Sequence, residues 1–204
     1  MENYICIKGN RIPLSNELAK LAQKLFGNFS SVKLAEIPEG ETFKIGDYAF
    51  VVLQQTADGT AVVLKDPHPE GVRFGTNNNY DGSNVDDCCN KFAESLASMI
   101  GDESIIQHEV VLTSNDGLGD YGHVTRKASL LTAEQYRRYV RILDNYKPDR
   151  WWWLATPWST ETHGNSSATL CVSPSGCINF HSCINGDNGV RPFCILKSDI
   201  FVSK

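Results

Sequence analysis

The sequence predicts an α+β protein. Apolar residues recur at helical spacing in three separate stretches before residue 147, and the last quarter of the chain switches to short β-type runs broken by turns. At 204 residues, with 41% hydrophobic and 21% charged residues, the chain suits one domain with a sizeable core.

Residues 4–8 read as a short strand. Ser15 then caps a helix in which Leu18, Leu21, Ala22, Leu25 and Phe26 share one face and Gly27 is the stop. Residues 29–41 read as a linker that closes on Pro38-Glu39-Gly40. Two β-rich runs, 42–55 and 60–65, flank Asp58-Gly59, a hairpin signal. Residues 66–83 hold Pro67, Pro69 and Asn77-Asn78-Asn79-Tyr80-Asp81-Gly82 and read as a long loop. Ser83 or Asn84 opens the next helix, with Asp86 and Asp87 in the first turn, where the helix dipole favours them. Val85, Cys88, Cys89, Phe92, Leu96, Met99 and Ile100 form its apolar stripe, and Gly101 ends it.

Residues 108–113 look like a strand, followed by a Gly/Asp loop over 115–120. Thr132-x-x-Gln135 is a capping box before a helix that runs through Tyr146, with Tyr136, Tyr139, Val140 and Leu143 on one face. After Pro148 come four β runs: 151–156, 168–173, 177–180 and 190–196. Pro174-Ser175-Gly176 joins the middle two, and Pro192 sits at an edge or bulge. The 42–65 and 150–204 regions would each leave an apolar face uncovered alone, so they are expected to pair within one domain.

Composition excludes several functions. A net charge of −5, a pI near 5.5 and no basic cluster beyond Arg137-Arg138 argue against a phosphate-binding or nucleic-acid surface. No run of 18 apolar residues is present, so no membrane insertion is expected. Met1-Glu2-Asn3 lacks the basic start and long apolar core of a signal peptide, which predicts synthesis in the cytoplasm.

The seven cysteines are Cys6, Cys88, Cys89, Cys171, Cys177, Cys183 and Cys194, and their spacing does not match paired zinc ligands. They read as reduced small hydrophobes, with disulfides or a metal as the alternatives. The oxygen-rich loops 77–87 and 115–120 carry calcium-type ligands but not in EF-hand order, and such clusters are mostly ordinary turns. Cys171, Cys177 or Cys183 with His163 or His181 offers the residue types of nucleophilic catalysis without a nucleophile motif. No metal, cofactor or enzymatic activity is therefore expected.

The C-terminal quarter carries the strongest functional signal. Trp151-Trp152-Trp153-Leu154-Ala155-Thr156-Pro157-Trp158 holds all four tryptophans of the chain. In an alternating strand Trp151 and Trp153 face one side and Trp152 the other, so at least one ring belongs in the core. Trp158, beyond Pro157, is the ring expected to face a ligand. Residues 162–190 contain no Lys, Glu, Gln, Met or Trp, although those types make up 33 of 204 residues and about five were expected. This window presents short polar or aromatic groups: His163, Asn165, Ser166, Ser167, Asn179, Phe180, His181, Ser182, Asn185, Asp187 and Asn188. Such side chains lose little rotamer freedom on binding, as in antibody paratopes. A plainly solvated loop is the alternative. Arg191 reads as a buried arginine forked onto carbonyls or a carboxylate, with contact to an anionic ligand as the alternative.

The segments WWWLATPWST, CVSPSG and GVRPFCILKSDIFVS resemble the C-terminal end of variable proteins made by diversity-generating retroelements, and a related phage and gut-bacterial domain family ending in a "WWLRSP…GVRP" pattern. The resemblance covers residues 150–204 and, loosely, the upstream layout. It implies a C-type-lectin-like fold akin to formylglycine-generating enzyme without its chemistry, with two to three helices. On this reading residues 1–204 form a single domain, residues 1–41 an N-terminal strand–helix appendage, and residues 150–204 the ligand-binding segment. Adenine-directed mutagenesis of AAY codons reaches fifteen amino acids, and the five it misses are the five absent from residues 162–190. Ala155 stands where the family often has Arg, so that Arg's role does not transfer. The resemblance implies a phage-borne receptor-binding or adhesion protein of the virion or cell surface. Its partner would be a protein or glycan on a bacterial surface, and a homo-oligomer is compatible with it. A formylglycine-generating-type enzyme and a structural virion protein are the alternatives.

Overall fold

The computed structural model describes residues 4–7, 10–13, 15 and 31–204, the first two segments by backbone only. β1 (Tyr4–Ile7) and β2 (Asn10–Pro13) form an antiparallel hairpin. The helix expected from Ser15 to Gly27 lies outside the described residues. From residue 31 onward the chain is α+β, with helices packed on antiparallel sheets.

The main sheet has the order β10 (Ala128–Ser129), β14 (Phe193–Leu196), β6 (Thr60–Leu64), β5 (Tyr48–Gln55), β4 (Thr42–Ile45), β15 (Phe201–Ser203) and β3 (Ser31–Lys33). β7 (Ile105–Ile106) also pairs with β14. The 42–55 run is thus itself a hairpin, because Gly46-Asp47 turns the chain between Ile45 and Tyr48. Gly46 has φ of +56°, the left-handed value such two-residue turns require. Residues 29–41 are not a bare linker either: β3 pairs with β15, and Leu34 and Ile37 are fully buried. Two apolar residues three apart carry too little periodicity to announce an element. The C-terminal strands do join the 42–65 region, β14 beside β6 and β15 beside β4.

β5 shows why the sheet is covered on both sides. Phe50 and Val52 enter one core, and Val51 and Leu53 enter the other. α1 (Asn84–Ile100) covers the first core. Its N-terminus is capped by Ser83, whose side chain accepts from the Asp86 amide at 3.2 Å. Its buried residues include Val85, Cys89, Ala93, Leu96 and Ile100. Cys88 and Phe92 are only half-buried at its margin, and Met99 is 38% exposed beside the Gly46 turn. Asp86, expected simply to favour the helix dipole, is buried and receives Arg126 Nε at 2.8 Å and Nη2 at 2.7 Å. α2 (Ala133–Leu143) covers the second core behind its capping box, and a single 3₁₀ turn extends it to Tyr146.

β11 (Trp152–Pro157), β12 (Ala168–Val172) and β13 (Ile178–Ser182) form a second sheet between the same two cores. Trp153 enters the first and meets Phe74 edge-on at 5.6 Å, while Trp152 enters the second and meets Tyr136 at 5.6 Å. The two sheets are joined through Gly189, whose amide bonds the Trp151 carbonyl at 2.8 Å and whose carbonyl receives the Trp153 amide at 3.0 Å. The expected strand over 108–113 is β8 (His108–Val111). Its partner β9 (His123–Arg126) carries no strong alternating pattern, and the sequence did not announce it.

His108 links that hairpin to the main sheet. Its Nε2 lies 2.8 Å from Ser129 Oγ, its ring meets Phe193 edge-on, and burial lowers its pKa from 6.5 to about 4. The unfolded chain therefore binds this proton more readily than the folded one. Stability should be full above pH 6.5 and fall by about 3 kcal/mol as pH drops toward 4. Urea unfolding of native protein and His108→Gln between pH 4 and 7.5 checks this. The native slope should be steeper, and equal slopes would refute the assignment.

Candidate functional site

The C-terminal quarter divides sharply into a buried frame and an exposed window. Trp152 to Pro157, Ser159, Thr160 and all of β12 are buried, as are Asn188 to Cys194. The 3₁₀ turn Glu161–His163, Ser167, Cys177, Asn179, Phe180, Ser182, Ile184 and Asp187 are exposed.

The register between β12 and β13 places the window residues on two opposite faces. Ile178, Phe180 and Ser182 stand opposite Val172, Leu170 and Ala168, the side of the second core. On this face the half-buried Trp158 lies against Phe180, with ring centroids 4.4 Å apart and planes tilted by 34°. Asn179 and His181 stand opposite Cys171 and Thr169, on the other side. There His181 packs against Trp151 at 4.5 Å, and its Nδ1 lies 3.0 Å from Asn188 Oδ1.

Asn188 is 1% exposed, so it braces His181 from inside and offers no surface to a ligand. The neighbouring turn is fixed by main-chain contacts with the loop after β6. The Val72 amide donates to Asn188 O at 2.9 Å, and a Cβ on Gly71 would lie 2.2 Å from Gly186 O. Glycine is required at residue 71 by that approach. Asn185 folds its amide oxygen onto the Asp187 amide at 2.8 Å, leaving the Asp187 side chain outward.

The loop from 159 to 167 is held by residues that sequence reasoning did not single out. Asn78 is fully buried and donates through Nδ2 to Ser159 O at 2.8 Å and Ala168 O at 2.7 Å, while its Oδ1 accepts from Tyr121 Oη at 2.7 Å. Its own amide donates to Ser166 O at 2.8 Å. Nothing in an Asn-Asn-Asn run marks the middle residue as interior, because only the tertiary fold brings residues 78 and 159 together.

Asp116 accepts from Ser114, Ser159 and His163, and these bonds hold its carboxyl below the usual carboxylate range. Asp120 is lowered in the same way by Thr160 and Thr162. The carboxylates of the 115–120 loop thus clamp the window loop. Among the described residues no cluster of three or more acidic, His or Cys side chains could hold a metal. His163 is committed to Asp116, while Asn165 and Ser167 close a small turn of their own.

Among the described thiols Cys177 is exposed and Cys88 half-buried. Cys89, Cys171, Cys183 and Cys194 are buried, and desolvation raises all four, Cys171 and Cys183 to about 12. A raised thiol is a poor nucleophile. Arg191 is equally interior and bonds three main-chain carbonyls, so it is not a ligand contact. An open cleft between α1 and β9 carries Arg126 and Lys127, but both are already paired with Asp86, Asp81 and Asp102.

The model of one protein family, Domain of unknown function (DUF6273), matches residues 58–198, more than half of the chain. This protein belongs to the DUF6273 family. No curated protein and no solved structure matches it. The DUF6273 region begins at the turn before β6 and ends just after β14, so it takes in α1, α2 and the whole window. β3, β4, β5 and β15 complete the main sheet from outside that region. No described helix is long and apolar enough to cross a membrane.

Proposed function

We propose that this DUF6273 protein is a non-enzymatic binding protein with a C-type-lectin-like fold, whose C-terminal segment carries a diversified recognition site. The observation that carries this is the division of residues 152–194 into a buried frame and an exposed window of short polar and aromatic groups. Side chains outside the buried frame can change identity while β11, β12 and β14 keep the fold. Trp158, His163, Asn165, Ser166, Ser167, Asn179, Phe180, His181, Ser182, Asn185 and Asp187 make up the site, with Asn188 as internal support. The absence of Lys, Glu, Gln, Met and Trp from residues 162–190 supports diversification through AAY codons. The burial of Cys171 and Cys183, which leaves Cys177 as the exposed thiol of the C-terminal segment, favours binding over formylglycine-type paired-thiol chemistry. A phage or bacterial-surface adhesion role, with a protein or glycan partner, follows from the resemblance.

Scrambling Asn179, Phe180, Ser182, Asn185 and Asp187 among the AAY-reachable residues tests the site. Melting temperatures should stay within a few degrees of native, while binding to bacterial target cells changes from variant to variant. Unfolding of most scrambles would show these positions to be structural and end the proposal. In the source DNA, a reverse-transcriptase gene and a near-copy of codons 150–204 differing only at adenines are expected nearby.

A further inference from the structure

The hydrogen-bond parity of β13 decides which of its main-chain groups face away from β12. The Cys183 amide donates to Ser167 O at 2.8 Å and the Ser173 amide to Cys177 O at 2.9 Å. In an antiparallel pair the bonded positions recur every second residue, so Asn179 and His181 bond inward to Cys171 and Thr169. The main-chain groups of Ile178, Phe180 and Ser182 therefore point away from β12. Among the described residues no strand pairs with this outer edge.

Two of the outward groups are occupied locally. The Phe180 amide donates to Asn179 Oδ1 at 2.8 Å, and Ser182 O accepts the Asn185 amide at 2.9 Å. The Ile178 amide and carbonyl, the Phe180 carbonyl and the Ser182 amide remain directed outward. Open edges are normally protected by charge, proline or a bulge. The strand Ile178-Asn179-Phe180-His181-Ser182 carries none of these, only the one side-chain amide over its central N–H. The same three residues also present their side chains on the Trp158 face, so a strand laid along the edge would meet the Trp158–Phe180 rings with every second side chain.

We propose that β13 binds an extended segment of a partner polypeptide by strand addition, with an apolar partner side chain against Trp158 and Phe180. Main-chain hydrogen bonds then supply a part of the affinity that is independent of window sequence, and the window side chains supply selectivity. Asn179 acts as a removable cap on the central amide, displaced when the partner carbonyl arrives. This deepens the recognition reading above and rests on it, committing the partner to a polypeptide.

The test uses a displayed library of random linear twelve-residue peptides selected on the full chain, with the selected peptides resynthesised and titrated. Each peptide is also made with single N-methyl groups along its main chain. Binding should fall at least tenfold for N-methylation at alternate positions and little at those between. Ile178→Pro, which removes an outward N–H and trims a side chain at the margin of the second core, should weaken binding at least tenfold at a moderate cost in melting temperature, and bound peptide should slow hydrogen exchange at the Ser182 amide. If Trp158→Ala and Phe180→Ala weaken the peptides but N-methylation does not, the face recognises ligands and strand addition is refuted. If neither class of change matters, or no peptide is selected, strand addition is refuted, and the scrambling experiment alone decides the recognition reading. Should Ile178→Pro unfold, the N-methyl series still decides the outcome without altering the protein.

Discussion

Arg191→Ala is expected to destabilise the protein by about 3–5 kcal/mol. The guanidinium is 1% exposed and donates to Leu64 O at 2.9 Å, Lys65 O at 2.8 Å and Tyr146 O at 3.2 Å. It also lies over the Trp152 ring at 5.1 Å. Burial lowers its pKa to about 10, and Asp66 opposes that shift. The residue thus ties the end of β6, the end of the α2 segment and the entry to β14 in one place. Alanine would take the donor from the buried Leu64 carbonyl and from the half-buried Lys65 and Tyr146 carbonyls, and leave a void beside Trp152. Lysine keeps the charge but cannot fork onto three acceptors, so Arg191→Lys should recover only part of the loss. Chemical denaturation of the three proteins is the measurement. An unchanged unfolding midpoint in Arg191→Ala would contradict the interior placement.

Asn78→Ala should cost about 3 kcal/mol and loosen the 159–167 loop selectively. The substitution removes the donor to the Ser159 carbonyl, one of two donors to the Ala168 carbonyl and the acceptor of the Tyr121 hydroxyl at once. Asn78→Asp is the sharper variant, because it keeps the acceptor for Tyr121 and turns an oxygen toward two carbonyls. It should be at least as damaging as alanine. Hydrogen exchange should accelerate at the Trp158, His163 and Asn165 amides, whose acceptors are Ala168 O, just after this loop, and Thr160 O within it. Amides of β5 and β6 should keep their protection. A uniform loss across both sheets would mean that Asn78 supports the whole core instead of the recognition loop.

Local chemistry was legible along much of the chain. Ser83 and Gly101 bound α1, Thr132 and Gln135 form the capping box of α2, and the β runs near 152, 168, 178 and 193 all exist. In each case the residues that specify the element are neighbours in sequence, so propensity and periodicity suffice. The opposed facing of Trp152 and Trp153 follows from strand alternation alone, and the window's lack of five residue types is a property of composition. Where local patterns were weak, the reading failed: β3 beside Leu34 and β9 owe their form to partners elsewhere in the chain, whereas the Gly46-Asp47 turn is local.

Only the tertiary structure decided which window residues a ligand could touch. Asn188 and Asn185 are the same residue type three positions apart, yet one is interior because the 67–73 loop crosses it. Asp116 and Asp120 looked like cation ligands and instead clamp the recognition loop, because residues 159–163 fold back onto them. The two faces of β13, and the direction of its free main-chain groups, depend on its register with β12. That register is fixed by burying Leu170 and Cys171 in opposite cores, and a shift of one residue would exchange them. Sequence determined what the window is made of; burial on both sides of β12 determined where it points.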